Sequence, residues 1–196
     1  MDEDKLNIIT PFGPSVVKVK IPEKIIKTIN DHVDEVSASE KMFKKRENVA
    51  EIEEGGLLSP KFDNDGLIPV ITMCSKTKDI LMHGYMNIEA LKKTIETKEA
   101  HYFSRSRKQI WHKGKTSGFT QKVTEIRIDD DQDSIWLTVD IGDGSSCHVG
   151  YRSCFYRSIP LGKIDDGKKI TMKFEEKEKK FDSEKVYKDQ PNPTKI

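Results

Sequence analysis

The chain has 196 residues, of which 34% are charged and 35% apolar, with a formal net charge of +1. That length suits one domain with appendages, and no apolar run approaches the roughly 20 residues of a membrane span. The balanced charge excludes the strongly basic footprint expected of a nucleic-acid binder.

Met1-Asp2-Glu3-Asp4 lacks the basic start and apolar stretch of a secretory leader. The expectation is a cytoplasmic protein with neither membrane nor nucleic acid as partner. Residues 1–56 read as an extension and linker. Val16 to Ile21 alternates enough for a short strand, and Pro22 suits the first turn of a helix. Ile25, Ile29, Val33 and Val36 then form an apolar stripe at helical spacing, with His32 beside it. From Ser37 to Gly56 the chain is polar and charged, which predicts a linker.

Residues 57–160 read as the domain. Gly66 to Met73 predicts a strand, Ser75 to Asp79 a turn, and Ile80 to Met86 the returning strand. Asn87 is a good N-cap for a helix that ends near Lys98, with Ile88, Leu91 and Ile95 on its apolar face. Short strands follow at His101 to Ser104 and around Ile110-Trp111-His112, then a longer one from Val123 to Ile128. The order predicts α+β, a mainly antiparallel sheet with one central helix. Residues 161–196 form a charged tail, with a turn at Asp165-Asp166-Gly167, a strand at Ile170 to Phe174, and a loose end at Pro191-Asn192-Pro193.

The stretch from Ile128 to Phe155 carries the densest chemistry. In an extended chain Asp129, Asp131 and Asp133 line one face, and oxygen ligands suit Mg²⁺ or Ca²⁺. An EF-hand is excluded because Ser134 stands where its glycine is needed. A solvent-facing acidic turn is the other reading of the spacing. Ser134 to Ile141 predicts a strand, and past a Gly/Ser turn come Cys147 and Cys154, so carboxylates and thiols are expected at the two ends of a hairpin. Three cysteines and no leader favour metal binding or inert burial over a disulfide. Zinc takes three or four protein ligands. Asp130, His148, His112 or His101 are available to complete the pair.

The loops Ser104-Arg105-Ser106-Arg107 and Lys113 to Gly118 combine cations, hydroxyls and glycines, a surface suited to phosphate. A P-loop is excluded because Ile110 stands at its first glycine. An exposed basic loop explains the same residues.

Several motifs occur in one order: Gly66-Leu67-Ile68-Pro69, Tyr85-Met86-Asn87, Glu89-Ala90-Leu91, His101-Tyr102-Phe103-Ser104-Arg105-Ser106-Arg107, Ile110-Trp111-x-Lys113-Gly114-x-Thr116-Ser117-Gly118 and Cys147-His148-x-Gly150-x-Arg152-Ser153-Cys154-Phe155-Tyr156-Arg157. Together they resemble phosphoribosyl-AMP cyclohydrolase, the ring-opening enzyme of histidine biosynthesis, in its monofunctional form. Phe181-Asp182-x-x-x-Val186-Tyr187 resembles the end of some members. The resemblance implies a cytoplasmic homodimer with Zn²⁺ near the subunit interface and Mg²⁺ on Asp129, Asp131 and Asp133. It places Cys147, Cys154 and Asp130 at the zinc positions, although the family's acidic motif reads Asp-Cys-Asp-x-Asp and Asp130 stands at its cysteine. It implies substrate contacts at Arg105, Arg107, Lys113, Thr116, Ser117, Arg152 and Ser153, and proton transfer by His101, His112 or His148. Two other classes fit the same residues: a related hydrolase of another purine nucleotide, and a silent nucleotide-binding protein. Residues 8–34 weakly resemble the opening of phage 2-oxoglutarate oxygenase-like proteins, which would make this a viral gene acting in the host cytoplasm.

Overall fold

The computed structural model describes residues 5–10, 13–18, 22–25, 27 and 42–188. The chain divides into two compact units, residues 1–42 and 43–196. In the first, β1 (Lys5–Thr10) pairs antiparallel with β2 (Gly13–Lys18), with Leu6 opposite Val17 and Ile8 opposite Ser15. The strand expected from Val16 thus starts at Gly13 and has a partner that the sequence did not suggest. Residues 23–25 and 27 are helical, while Ile29, His32, Val33 and Val36 lie outside the described residues.

The second unit is built on a four-stranded sheet in the order β4-β3-β8-β7. Its strands are β3 (Ile68–Cys74), β4 (Ile80–Met86), β7 (Lys122–Ile128) and β8 (Ile135–Asp140). Two antiparallel hairpins, β3–β4 and β7–β8, join through the parallel pair β3–β8. One helix, α2 (Ile88–Thr97), connects β4 to a separate small hairpin of β5 (His101–Ser104) and β6 (Gln109–His112). The architecture is the α+β fold expected, sheet-rich with one main helix.

Local chemistry explains the helix. The Asn87 carboxamide oxygen accepts from the Ala90 N–H at 2.9 Å, and Lys98 closes the far end in a left-handed conformation. The buried face is Ala90, Leu91 and Thr94; Ile95, expected there, is exposed. Thr94 takes its place because its hydroxyl donates to Ala90 O at 2.8 Å and accepts the His101 N–H at 3.0 Å, tying helix to strand.

The strand expected at Ser134 to Ile141 forms as β8. Ile135, Leu137 and Val139 point into the core, while Trp136 is partly exposed beneath Arg127. The core gathers Ile68, Val70, Leu81, Met86, Leu91 and Tyr102 around them. Cys74 is a free, buried thiol within that core.

Residues 43–56, part of the stretch expected as linker, belong to the second unit. A short helix α1 (Val49–Glu53) is capped by Asn48, and the Arg46 guanidinium donates to the carbonyls of Ser59 and Asp131. The linker expectation fails because it weighed polarity alone. These polar groups are spent on backbone carbonyls of the neighbouring turn.

Candidate active site

The acidic run forms the turn of the β7–β8 hairpin. It is not extended. Gln132 sits at φ +57°, and the Asp129 carboxylate accepts the N–H groups of Asp133 and Ser134, both at 2.9 Å. Chain reversal, in place of strand alternation, brings Asp129, Asp131 and Asp133 together, with ligand oxygens within 4.8 Å of one another. Such an oxygen cluster fits a hard divalent cation. Lys61 lies against it, its ammonium 3.1 Å from Asp133 and 3.5 Å from Asp131. The two carboxylates hold the Lys61 ammonium above its ordinary pKa, Asp133 by hydrogen bond most of all. Gln132 is buried: its carbonyl accepts the Ser59 N–H at 2.7 Å and its amide donates to Ile52 O at 2.9 Å.

The cysteine segment after β8 carries no strand, so the expected hairpin between acids and thiols does not form. β8 is paired on both sides already, by β3 and β7. Acids and thiols therefore stand at opposite ends of β8, and six residues at ~3.3 Å each separate them by about 20 Å. Within one chain Asp130, exposed on the acidic turn, is remote from Cys147 and Cys154.

The thiol loop is a set of tight turns. The Cys147 N–H donates to Tyr151 O at 3.2 Å, and the Cys154 N–H donates to Leu81 O at 2.7 Å. The mutual influence of the two side chains draws the Cys147 thiol down to about 6 and pushes the Cys154 thiol up. Two neighbouring cysteine sulfurs form a soft donor pair that suits zinc, though alone it is short of a complete ligand set.

Lys113 is buried within electrostatic range of both cysteines; burial lowers its pKa while the cysteines act the other way. Its Nζ lies 5.6 Å from the Trp111 ring centroid. Gly114, at φ +89°, turns the chain there; a Cβ would lie 2.2 Å from the Phe119 backbone. Thr116 is exposed on this turn, and the Ser117 hydroxyl accepts from the Phe119 N–H at 3.4 Å. The Arg105 guanidinium stacks 4.0 Å over Tyr85, and Arg107 Nε donates to the Ser104 hydroxyl at 3.2 Å.

Arg152 and Ser153 hold the thiol loop. Arg152 donates to Gly142 O at 3.1 Å and to the Cys74 sulfur at 3.2 Å; the Ser153 hydroxyl donates to Ile80 O at 2.7 Å.

His101 and His112 face each other across β5–β6, their rings stacked at 4.5 Å. His101 Nδ1 lies 2.8 Å from the Glu99 carbonyl, which only accepts, so Nδ1 carries the proton and Nε2 is the ring's acceptor. Burial holds the His101 pKa below its ordinary value. His112 Nε2 is 2.8 Å from the Glu99 carboxylate, without the alignment of a hydrogen bond. His148 follows Cys147 and is half-buried.

Sequence reasoning missed Glu99 and Lys61. Glu99 precedes His101 by two, a spacing that places both on one side of an extended chain. Lys61 carries no such signal.

The family profile described as phosphoribosyl-AMP cyclohydrolase matches residues 82–156. A protein named phosphoribosyl-AMP cyclohydrolase from Rhodopseudomonas palustris is 51% identical over 137 residues, 70% of this chain and 89% of that one. One of the same name from Nitrobacter winogradskyi is 46% identical over 138 residues, 70% of this chain and 92% of its own. Another from Caulobacter vibrioides is 49% identical over 122 residues, 62% and 88% respectively.

Proposed function

Because the chain belongs to the phosphoribosyl-AMP cyclohydrolase family, we propose that it hydrolyses the N1–C6 bond of the adenine ring of 1-(5-phosphoribosyl)-AMP, a step of histidine biosynthesis. The observation that carries this reading is the family match over residues 82–156, a segment that contains Lys113, Cys147 and Cys154. Residues 57–160 are the catalytic domain of this reading, with 43–56 packed in the same unit, the segment before residue 43 as an extension and 161–196 as a tail.

Cys147 and Cys154 of one copy would hold zinc, and Asp130 of a second copy would complete the set, since Asp130 is too far away within its own chain. The working form is then a homodimer. Zinc bound there supplies a water whose pKa is lowered to about 7. Asp129, Asp131 and Asp133 would hold Mg²⁺, which would supply positive charge for a phosphate of the substrate. The N1-substituted adenine is cationic and electrophilic at C6. His101, neutral and with Nε2 as acceptor, is suited to take the proton from the attacking water; His112 and His148 are the other candidates. Arg105, Arg107, Lys113, Thr116 and Ser117 bind phosphate, and Arg152 and Ser153 shape the loop beside it.

Asp130 at the family's cysteine position favours a second reading, a related hydrolase of another purine nucleotide. The test is turnover of phosphoribosyl-AMP with zinc and magnesium, beside Asp130→Cys. Activity in the unmodified protein supports aspartate as a working ligand. Activity only in the cysteine variant means that the natural protein has left this chemistry.

No helix among the described residues is long and apolar enough to cross a membrane.

A further inference from the structure

We propose that Glu176, brought in by the C-terminal tail, is a positioning residue that sets the loop between Cys147 and Cys154 for metal binding. The inference rests on the zinc reading above and extends it by making the tail part of the site.

The Arg152 N–H donates to Glu176 Oε2 at 2.7 Å and the Ser153 N–H donates to Oε1 at 2.9 Å. Each carboxylate oxygen takes one of two consecutive amides. The next amide, Cys154, is held by Leu81 O at 2.7 Å. Three successive N–H groups leading into a thiol are thus fixed, two by one anion. Hydrogen bonds to an ionised acceptor are shorter and roughly twice as strong as neutral ones.

Glu176 is itself held in place. β9 (Arg157–Ser158) pairs with β10 (Lys173–Phe174), and the Glu175 N–H donates to Tyr156 O at 2.9 Å. Four residues on, the Lys180 N–H donates to Gly150 O at 2.7 Å. Gly150 is at φ +107°, and a Cβ there would lie 2.3 Å from Phe181 O, so the tail crosses the loop where only glycine fits. The Phe181 ring then packs on Phe119, 5.3 Å between centroids, beside the turn that follows Lys113. The tail grips the thiol loop at 150, 152 and 153 and reaches the lysine turn as well. A surplus of surface charge would not make these bonds.

The test uses full-length protein as wild type, Glu176→Ala and Glu176→Gln. Zinc affinity is read by competition with a chromophoric chelator. Cobalt substitution reports the sulfur-to-metal charge-transfer band, and amide hydrogen exchange is followed on the metal-free protein. Expected are protected Arg152 and Ser153 amides in the wild type. In Glu176→Ala, their protection is lost, zinc binds at least about tenfold more weakly and the cobalt band diminishes; Glu176→Gln, which keeps one carbonyl acceptor, falls between. Should the alanine variant fail to fold, the wild-type exchange pattern and the glutamine variant decide. Equal zinc affinity in wild type and variants, or unprotected Arg152 and Ser153 amides in folded wild type, overturns the proposal. If wild type binds zinc and turns over phosphoribosyl-AMP while Glu176→Ala binds zinc equally well, the positioning role fails and the enzymatic reading stands. A wild type that takes no zinc sinks the zinc reading and the proposal with it.

Discussion

The Tyr102 hydroxyl donates to Gln121 Oε1 at 2.7 Å, and both side chains are fully buried. Thr72 donates to the same phenol oxygen at 2.7 Å, and Gln121 Nε2 passes on to the Ser146 hydroxyl at 2.9 Å. A polar chain therefore runs from the centre of β3 to the residue before Cys147. Tyr102→Phe keeps the ring but leaves Gln121 and Thr72 without their partner. The expected loss is about 1–3 kcal/mol, the cost of an orphaned buried polar group. Urea unfolding measures it. A midpoint equal to wild type would mean that the phenol contributes nothing.

Much of this architecture was legible in the sequence. Asn87 and the β3–β4 hairpin depend on chemistry within a few residues of each other. The acidic triad was legible as a cluster, but its shape was not. A run of aspartates does not reveal that Gln132 adopts a left-handed backbone and closes a turn, because the partners of Gln132 are Ser59 and Ile52. The exposed Ile95 and buried Thr94 reverse a pattern based on hydropathy alone, since the Thr94 hydroxyl finds both a donor and an acceptor. Glu176 stands over twenty residues from the thiols in a charge-rich tail, where no periodicity marks it.

Gly84 faces its cross-strand neighbour Val70, and a Cβ there would lie 2.8 Å from Tyr102 Cδ1. The ring is pinned at its hydroxyl and cannot retreat. Gly84→Ala is expected to cost about 1–3 kcal/mol as overpacking. Thermal melts would register this, and a gain in stability would show that the ring can shift.

Lys61 occupies the acidic turn as a built-in counterion. Lys61→Met removes a cation that competes with a divalent ion for Asp131 and Asp133. The expected result is a few-fold tighter binding of Mn²⁺, followed by electron paramagnetic resonance. The gain should shrink at high salt, where exposed charges are screened. Weaker binding in the variant would mean that Lys61 organises the carboxylates.

The thiol pair gives the metal-free protein a distinctive dependence on pH. Free thiols titrate near ~8.5 in the unfolded chain. Cys147 is drawn down to about 6 in the fold by its neighbour Cys154, while Cys154 is pushed up. Between about 6 and ~8.5 the unfolded pair binds more protons than the folded one, so this contribution to stability rises with pH. Above ~8.5 the folded state retains the Cys154 proton that the unfolded chain has lost, and the slope reverses. Unfolding free energy across pH 5.5–10, compared with Cys147→Ser, isolates the contribution. A difference that is flat across this range would contradict the mutual influence of the two thiols.

Cys154→Ala separates the two roles of that thiol. Removing it deletes the neighbour that draws Cys147 down, so alkylation of metal-free Cys147 should need higher pH than in wild type, with half-maximal rate shifted upward from about 6. Removing it also leaves one soft ligand per chain, which is too few for the zinc set. Zinc uptake should be lost, and turnover of phosphoribosyl-AMP should fall by at least about a hundredfold, the loss expected when the bound water's activation is removed. The two readouts are independent because the first involves no metal. Shifted alkylation with unchanged turnover would keep the thiol pair as observed and remove zinc from the reaction.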